Sequence, residues 1–224
     1  MPLRLLLFDF DGLLCDTERA AHRSWDEVYA QLLGHGLPDR VWAAMAGRSD
    51  GEAVAVADLS ARLGRPLGEA ARAARLRRKR ELCAAEPERP GVTALLDAGR
   101  AAGLGLGVVS SSSLSWVDSH LARLGLRHRF DRLVTGDDTP WHKPAPDLYR
   151  LALRRAGVPA ADAVAFEDSE SGVRAARAAG VYCVAVRNAV GAHADLSAAD
   201  EIRSSLVDVV PDAYLNRLTE AGNR

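Results

Sequence analysis

The sequence predicts an α/β protein, a doubly wound parallel sheet with an all-helical segment inserted after its first strand. Short apolar runs alternate with helical patterns along most of the 224 residues, as they do in consecutive strand–helix units of a parallel sheet. The alternation lapses between residues 15 and 87, where helical patterns follow one another without a convincing strand. The first apolar run, Leu3 to Leu7, leads straight into Asp9-Phe10-Asp11-Gly12. In open α/β sheets, ligands bind at the carboxyl ends of strands.

Residues 3–10 are the first expected strand, because a continuous apolar run suits a strand covered on both faces. Residues 15–87 then read as helices over 20–33, 51–63 and 68–83. Gly34-His35-Gly36-Leu37-Pro38 and Gly64-Arg65-Pro66 are the turns between them. Glu86-Pro87-Glu88-Arg89-Pro90 is the return linker. The helix over 92–102 carries Leu95, Leu96 and Ala98 on one stripe and precedes a second strand over 104–110. A helix over 115–124, with Val117, Leu121 and Leu124 at helical spacing, leads to a third strand over 132–136. Helices over 147–156 and 172–179 flank a fourth strand, 163–167, and a fifth strand follows over 182–186. The expected domains are a core of residues 1–14 and 88–224 and a helical domain of residues 15–87.

Composition narrows the function. A net charge of −1 gives no basic excess for nucleic acid. No apolar stretch is long enough for a membrane span. The start of the chain lacks the pattern of a signal peptide. Three widely spaced cysteines suit reduced thiols in a cytoplasm better than a disulfide framework or a zinc site. The expected protein is therefore a cytoplasmic monomer that handles a small molecule. The glycines of Gly103-Leu104-Gly105-Leu106-Gly107 precede or lie within a strand, so they do not make a dinucleotide-binding turn.

Chemistry collects at four places in the chain. Asp9 and Asp11 repel each other unless a cation or a shared proton intervenes. They are thus candidate metal ligands and a candidate nucleophile with its acid/base, or else a polar strand end. Ser110-Ser111-Ser112-Ser113 opens a helix, either as a plain cap or as an anion site. Glu167-Asp168-Ser169 ends the fourth strand. Lys143 lies in a proline-rich loop, and the chain has one other lysine, Lys79, against many arginines. A lysine offers a compact point charge where arginine offers a wide fork. In a parallel sheet these groups share one edge. Together they offer carboxylates for a divalent cation, hydroxyl and backbone donors for phosphate, and a balancing charge; magnesium prefers such hard oxygen ligands.

These segments resemble the haloacid dehalogenase superfamily along essentially the whole chain. Asp9-Phe10-Asp11-Gly12 matches its first motif, Ser110 ends the second, Lys143-Pro144 is the third, and Glu167-Asp168-Ser169 with Gly172 is the fourth. The resemblance implies a Rossmann-like core whose first strand lies between the second and the fourth, and it makes the insertion a helical cap. It implies that Asp9 is a nucleophile that becomes an aspartyl-phosphate, and that Asp11 is the general acid and base. Magnesium would be held by Asp9, the backbone carbonyl of Asp11, Asp168, and Glu167 directly or through water. Ser110 and Lys143, with Ser111, would grip the phosphoryl oxygens. Members that cleave carbon–halogen bonds lack the second acid, so Asp11 implies phosphoryl transfer.

The implied activity is a magnesium-dependent phosphatase of a small phosphorylated metabolite, a sugar phosphate or an organic acid phosphate. The alternatives are a β-phosphoglucomutase-like phosphohexomutase and a non-catalytic ligand-binding protein on this fold. Cap candidates for the substrate are Glu18, His22, Trp25, Arg48, Arg78 and Lys79. Trp25 also suits cap core, His22 suits the surface, and the run Arg75, Arg77, Arg78, Lys79 and Arg80 suits a solvated helix face. The mutase has a histidine where this chain has Ala21, and an arginine where it has Asp50.

Overall fold

The computed structural model describes residues 3–46, 50–191, 194–209 and 214. Among them, six strands form one sheet in the order β3-β2-β1-β4-β5-β6. The strands are β1 (Leu5–Phe8), β2 (Gly105–Val109), β3 (Arg132–Val134), β4 (Ala163–Glu167), β5 (Tyr182–Val186) and β6 (Glu201–Arg203). All neighbours pair in parallel, and Phe8 lies level with Val108 on one side and Phe166 on the other. The α/β class, the parallel sheet and the central first strand are as the sequence and its resemblance imply.

Alternate side chains of the strands bury opposite faces. Leu6, Phe8, Leu106, Val108, Val164 and Phe166 share one apolar layer with α5 (Val92–Ala101) and α6 (Leu114–Arg123). Leu5, Leu7, Val109, Ala163 and Ala165 share the other with α7 (Asp147–Ala156) and α8 (Glu170–Ala178). Glycines 105 and 107 keep β2 slim: a Cβ at Gly107 would stand 3.1 Å from Leu7 and 3.2 Å from Arg132.

Between β1 and α5 run α1 (Thr17–Leu33), α2 (Asp39–Met45), α3 (Gly51–Leu63) and α4 (Glu69–Ala85). Trp25, Tyr29, Val41, Trp42, Met45, Ala55 and Leu59 form their own apolar cluster. Trp25 is fully buried in this cluster, which makes it core of the insertion. The chain returns through a linker pinned to the first strand's turn: Arg89 N donates to Leu14 O at 2.9 Å, and its guanidinium donates to Gly12 O at 2.5 Å. All three cysteines are free and buried. No helix among the described residues is long and apolar enough to cross a membrane.

The differences from the sequence reading have local causes. The helix α1 begins at Thr17, not at 20, because Asp16 caps it by accepting from Arg19 N at 3.1 Å. Likewise α8 begins at Glu170, not at 172, because Ser169 accepts from Gly172 N at 3.1 Å. The helix α2 is an addition to the sequence expectation, because seven residues are too few for a clear period; Val41, Trp42 and Met45 supply its buried side. The edge strand β6 is Glu-Ile-Arg with Ile202 exposed, so it carries no apolar run.

Candidate active site

The carboxyl ends of β1, β2 and β4 meet under the helical insertion. They enclose a cavity of about 450 Å³ lined by Asp9, Asp11, Ser110, Ser111, Ser112, Lys143 and Asp168 from the sheet side. Glu18, Ala21, Trp42, Glu52, Arg75 and Lys79 line it from the insertion.

Asp9 sits one residue beyond β1, with its N–H held by Phe166 O at 3.0 Å. The chain then turns through Gly12 at φ +80°, a left-handed conformation that glycine adopts at no steric cost. A Cβ there would lie 2.0 Å from Asp168 Oδ2. Gly12→Ala must therefore displace a carboxylate as well as strain the turn. We expect kcat/KM to fall by about a hundredfold, the effect of a misplaced catalytic group, with helical content by circular dichroism retained. Near-normal activity in this variant would contradict the close packing of Gly12 on Asp168.

Asp9, Glu167 and Asp168 are buried, and each offers a carboxylate oxygen within 4.8 Å of the others. Lys143 Nζ lies among them, 2.5 Å from Asp9 Oδ1, 2.6 Å from Glu167 Oε1 and 2.8 Å from Val109 O. Burial works against its ammonium form, but Asp9 and Glu167 outweigh it and raise the lysine pKa. Burial pushes Asp9 up to about 8; Lys143 opposes that rise, while Glu167 and Asp11 add to it. Asp168 is also raised, by burial and then by Asp9 and Glu167. One lysine thus leaves this carboxylate group under-compensated. Glu167 Oε2 is buried and has no hydrogen-bond partner. An orphaned acceptor on one of three clustered carboxylates fits a hard divalent cation with oxygen ligands.

The serine run divides its work. Ser113 is the plain cap of α6, accepting from Trp116 N at 3.3 Å. Ser110, Ser111 and Ser112 face the cavity. Ser110 Oγ accepts from Ser112 N at 3.0 Å, and Ser111 Oγ accepts from Lys143 N at 3.2 Å, which ties the second and third motifs together.

Of the insertion residues expected at the substrate, Glu18 and Lys79 line the cavity. Arg48 lies outside the described residues. Arg78 is not at the site: it pairs with Glu27 at 2.8 Å and Glu81 at 3.3 Å. His22 is half-buried and packs edge-on against Trp42, 5.0 Å between centroids. Arg75 corrects the solvated-face reading: it is 4% exposed and lies 4.4 Å over the Trp25 ring. At 3.6 residues per turn, Arg75 and Lys79 share one face while Arg77 and Arg80 point to solvent. Asn188, which donates to Asp168 Oδ2 at 2.6 Å, gave no signal in the sequence.

The model of the family described as haloacid dehalogenase-like hydrolase matches residues 3–180. YhcW of Bacillus subtilis strain 168 is 39% identical over 190 residues, covering 84% of this chain and 85% of YhcW. Fructose-1-phosphate phosphatase YqaB of Escherichia coli strain K12 is 36% identical over 186 residues, covering 81% of this chain and 95% of YqaB. The crystal structure of CbbY from Rhodobacter sphaeroides in complex with phosphate is 30% identical, with TM-score 0.72 over 92% of this chain and 96% of CbbY.

Proposed function

The chain belongs to the haloacid dehalogenase-like hydrolases, and from that premise we propose that it hydrolyses the phosphate monoester of a small metabolite, a sugar phosphate or an organic acid phosphate, through a phosphoryl group carried on Asp9. The observation that carries this reading is the meeting of Asp9, Asp11, Ser110, Lys143 and Asp168 around one cavity.

Ser110, Ser111 and Lys143 bind and orient the phosphoryl oxygens. Asp9 attacks phosphorus while the bond to the leaving oxygen breaks, and Asp11 gives that oxygen a proton. Asp11 then takes a proton from the water that attacks the phosphorus, and Asp9 is released. Asp9, the backbone carbonyl of Asp11, Asp168 and Glu167 would hold magnesium. When bound, it supplies positive charge against the carboxylates and the phosphoryl group. Residues 15–87 act as a cap that excludes water, and Glu18, Arg75 and Lys79 meet the leaving group. Glu52 also lines the cavity and pairs with Arg75 at 3.2 Å, so the insertion offers two carboxylates and two cations, a set that suits a polyhydroxylated leaving group. Release of inorganic phosphate across a panel of metabolite phosphates tests the reading, with no release from any member contradicting it.

Metal dependence has a pH signature. The folded protein holds the Asp9 proton up to about pH 8, against an ordinary value of 3.8. Between those limits the folded state binds more protons than the unfolded one, so the stability of the metal-free protein falls as pH rises. Magnesium needs the ionised carboxylate, so its increment in melting temperature should be larger at mildly alkaline than at mildly acidic pH. Equal increments at both would contradict the assigned ligands.

A second reading, a phosphohexomutase, is favoured by Arg75, whose buried Nε has no hydrogen-bond partner and could meet a second phosphate. Ala21 stands against it, because it lines the cavity where the mutase pattern has a histidine. Turnover of β-glucose 1-phosphate with and without glucose 1,6-bisphosphate decides between them. We expect phosphate release with no gain from the bisphosphate; primer-dependent glucose 6-phosphate outrunning phosphate would reverse the choice.

A further inference from the structure

We infer that Trp116 is a positioning residue for the Asp11 carboxylate, acting through its indole N–H. This rests on the reading of Asp11 as the general acid. The indole Nε1 donates to Asp11 Oδ1 at 2.9 Å, and Thr17 Oγ1 donates to the same oxygen at 2.7 Å. Ser112 Oγ donates to Oδ2 at 2.6 Å, and Ser110 Oγ is 3.5 Å from it. Oδ1 is therefore tied toward α1 and α6, and Oδ2 faces the serines that line the cavity.

These donors differ in kind. A serine or threonine hydroxyl can rotate and become an acceptor, whereas an indole N–H can only donate. Trp116 keeps Oδ1 an acceptor and leaves Oδ2 as the oxygen on the substrate side. Its direction is fixed by its surroundings. The ring is half-buried against the core, His120 meets it edge-on with centroids 4.3 Å apart, and Lys79 Nζ lies 5.1 Å over its centroid. Lys79 comes from the helical insertion, so the ring that aims Asp11 also touches the insertion. Its N–H end is the part of the ring that reaches Asp11.

The test compares two probes, phenyl phosphate and p-nitrophenyl phosphate. The second has the better leaving group and depends less on a positioned acid. Trp116→Phe keeps an aromatic ring and removes the donor. We expect kcat/KM to fall about tenfold for phenyl phosphate and to change little for p-nitrophenyl phosphate. In an Asp11→Asn background the same change should add no further loss, because groups that act as a unit are not additive. Should Trp116→Phe fail to fold, benzothienylalanine at 116 removes only the N–H and keeps the shape. Equal losses on both probes, or a full additional loss in the Asp11→Asn background, would overturn the inference. Failure of the underlying reading looks different: Asp11→Asn itself would then lower both probes equally.

Discussion

Asp9→Asn is expected to lower turnover by about five orders of magnitude, the scale on which loss of a covalent nucleophile acts, while the fold survives. The amide has the same shape as the carboxylate but cannot attack phosphorus. The fold survives because the charge it removes is not a net asset: burial, with the charges of Glu167 and Asp11, outweighs Lys143 and brings Asp9 up to about 8. Lys143 keeps Glu167 as a partner at 2.6 Å, so the substitution strands no buried cation. The magnesium increment in melting temperature should shrink in the variant, because one charged ligand is gone. Purified Asp9→Asn with wild-type turnover would remove the nucleophile from the account.

Lys143→Met is expected to damage both activity and stability. It removes a buried cation from between two carboxylates and the Val109 carbonyl. Breaking a buried ion pair by deleting one partner costs about 3–5 kcal/mol, to be read as a lower melting temperature in the metal-free protein. Loss of a preorganised donor to the phosphoryl oxygens lowers kcat by about a thousandfold. Lys143→Arg should rescue little. Its wide planar fork does not replace a point charge held by three oxygens in a space where the lysine is 8% exposed. Wild-type melting in Lys143→Met, or full activity in Lys143→Arg, would contradict the role given to this ammonium group.

Much of the sheet and of its site could be read from residue order alone. Leu3 to Phe10, Ala163 to Glu167 and Tyr182 to Val186 are apolar runs with polar ends, and parallel strands buried on both faces produce that pattern. The polar ends carry the site, so Asp9, Ser110, Glu167 and Asp168 were legible together. The edge strand β6 was not, because Glu201 and Arg203 flank an exposed Ile202 and one face has no core to bury. The insertion was less legible than the sheet. Its helix α4 is rich in alanine and arginine and buries only Arg75 and Cys83 among its residues, so apolar periodicity could not say which arginine turns inward. Trp42 and Asn188 reach the cavity through contacts far away in sequence, Trp42 Nε1 to Val190 O at 2.7 Å and Asn188 to Asp168. Such pairings exist only once the chain has folded.

The steric course at phosphorus tests the central claim most directly. A chiral, isotopically labelled thiophosphate monoester hydrolysed in labelled water reports how many in-line displacements occur. Attack by Asp9 and then by water makes two inversions, so the account predicts net retention of configuration. Net inversion would show that water displaces the leaving group in one step and that Asp9 is not the nucleophile.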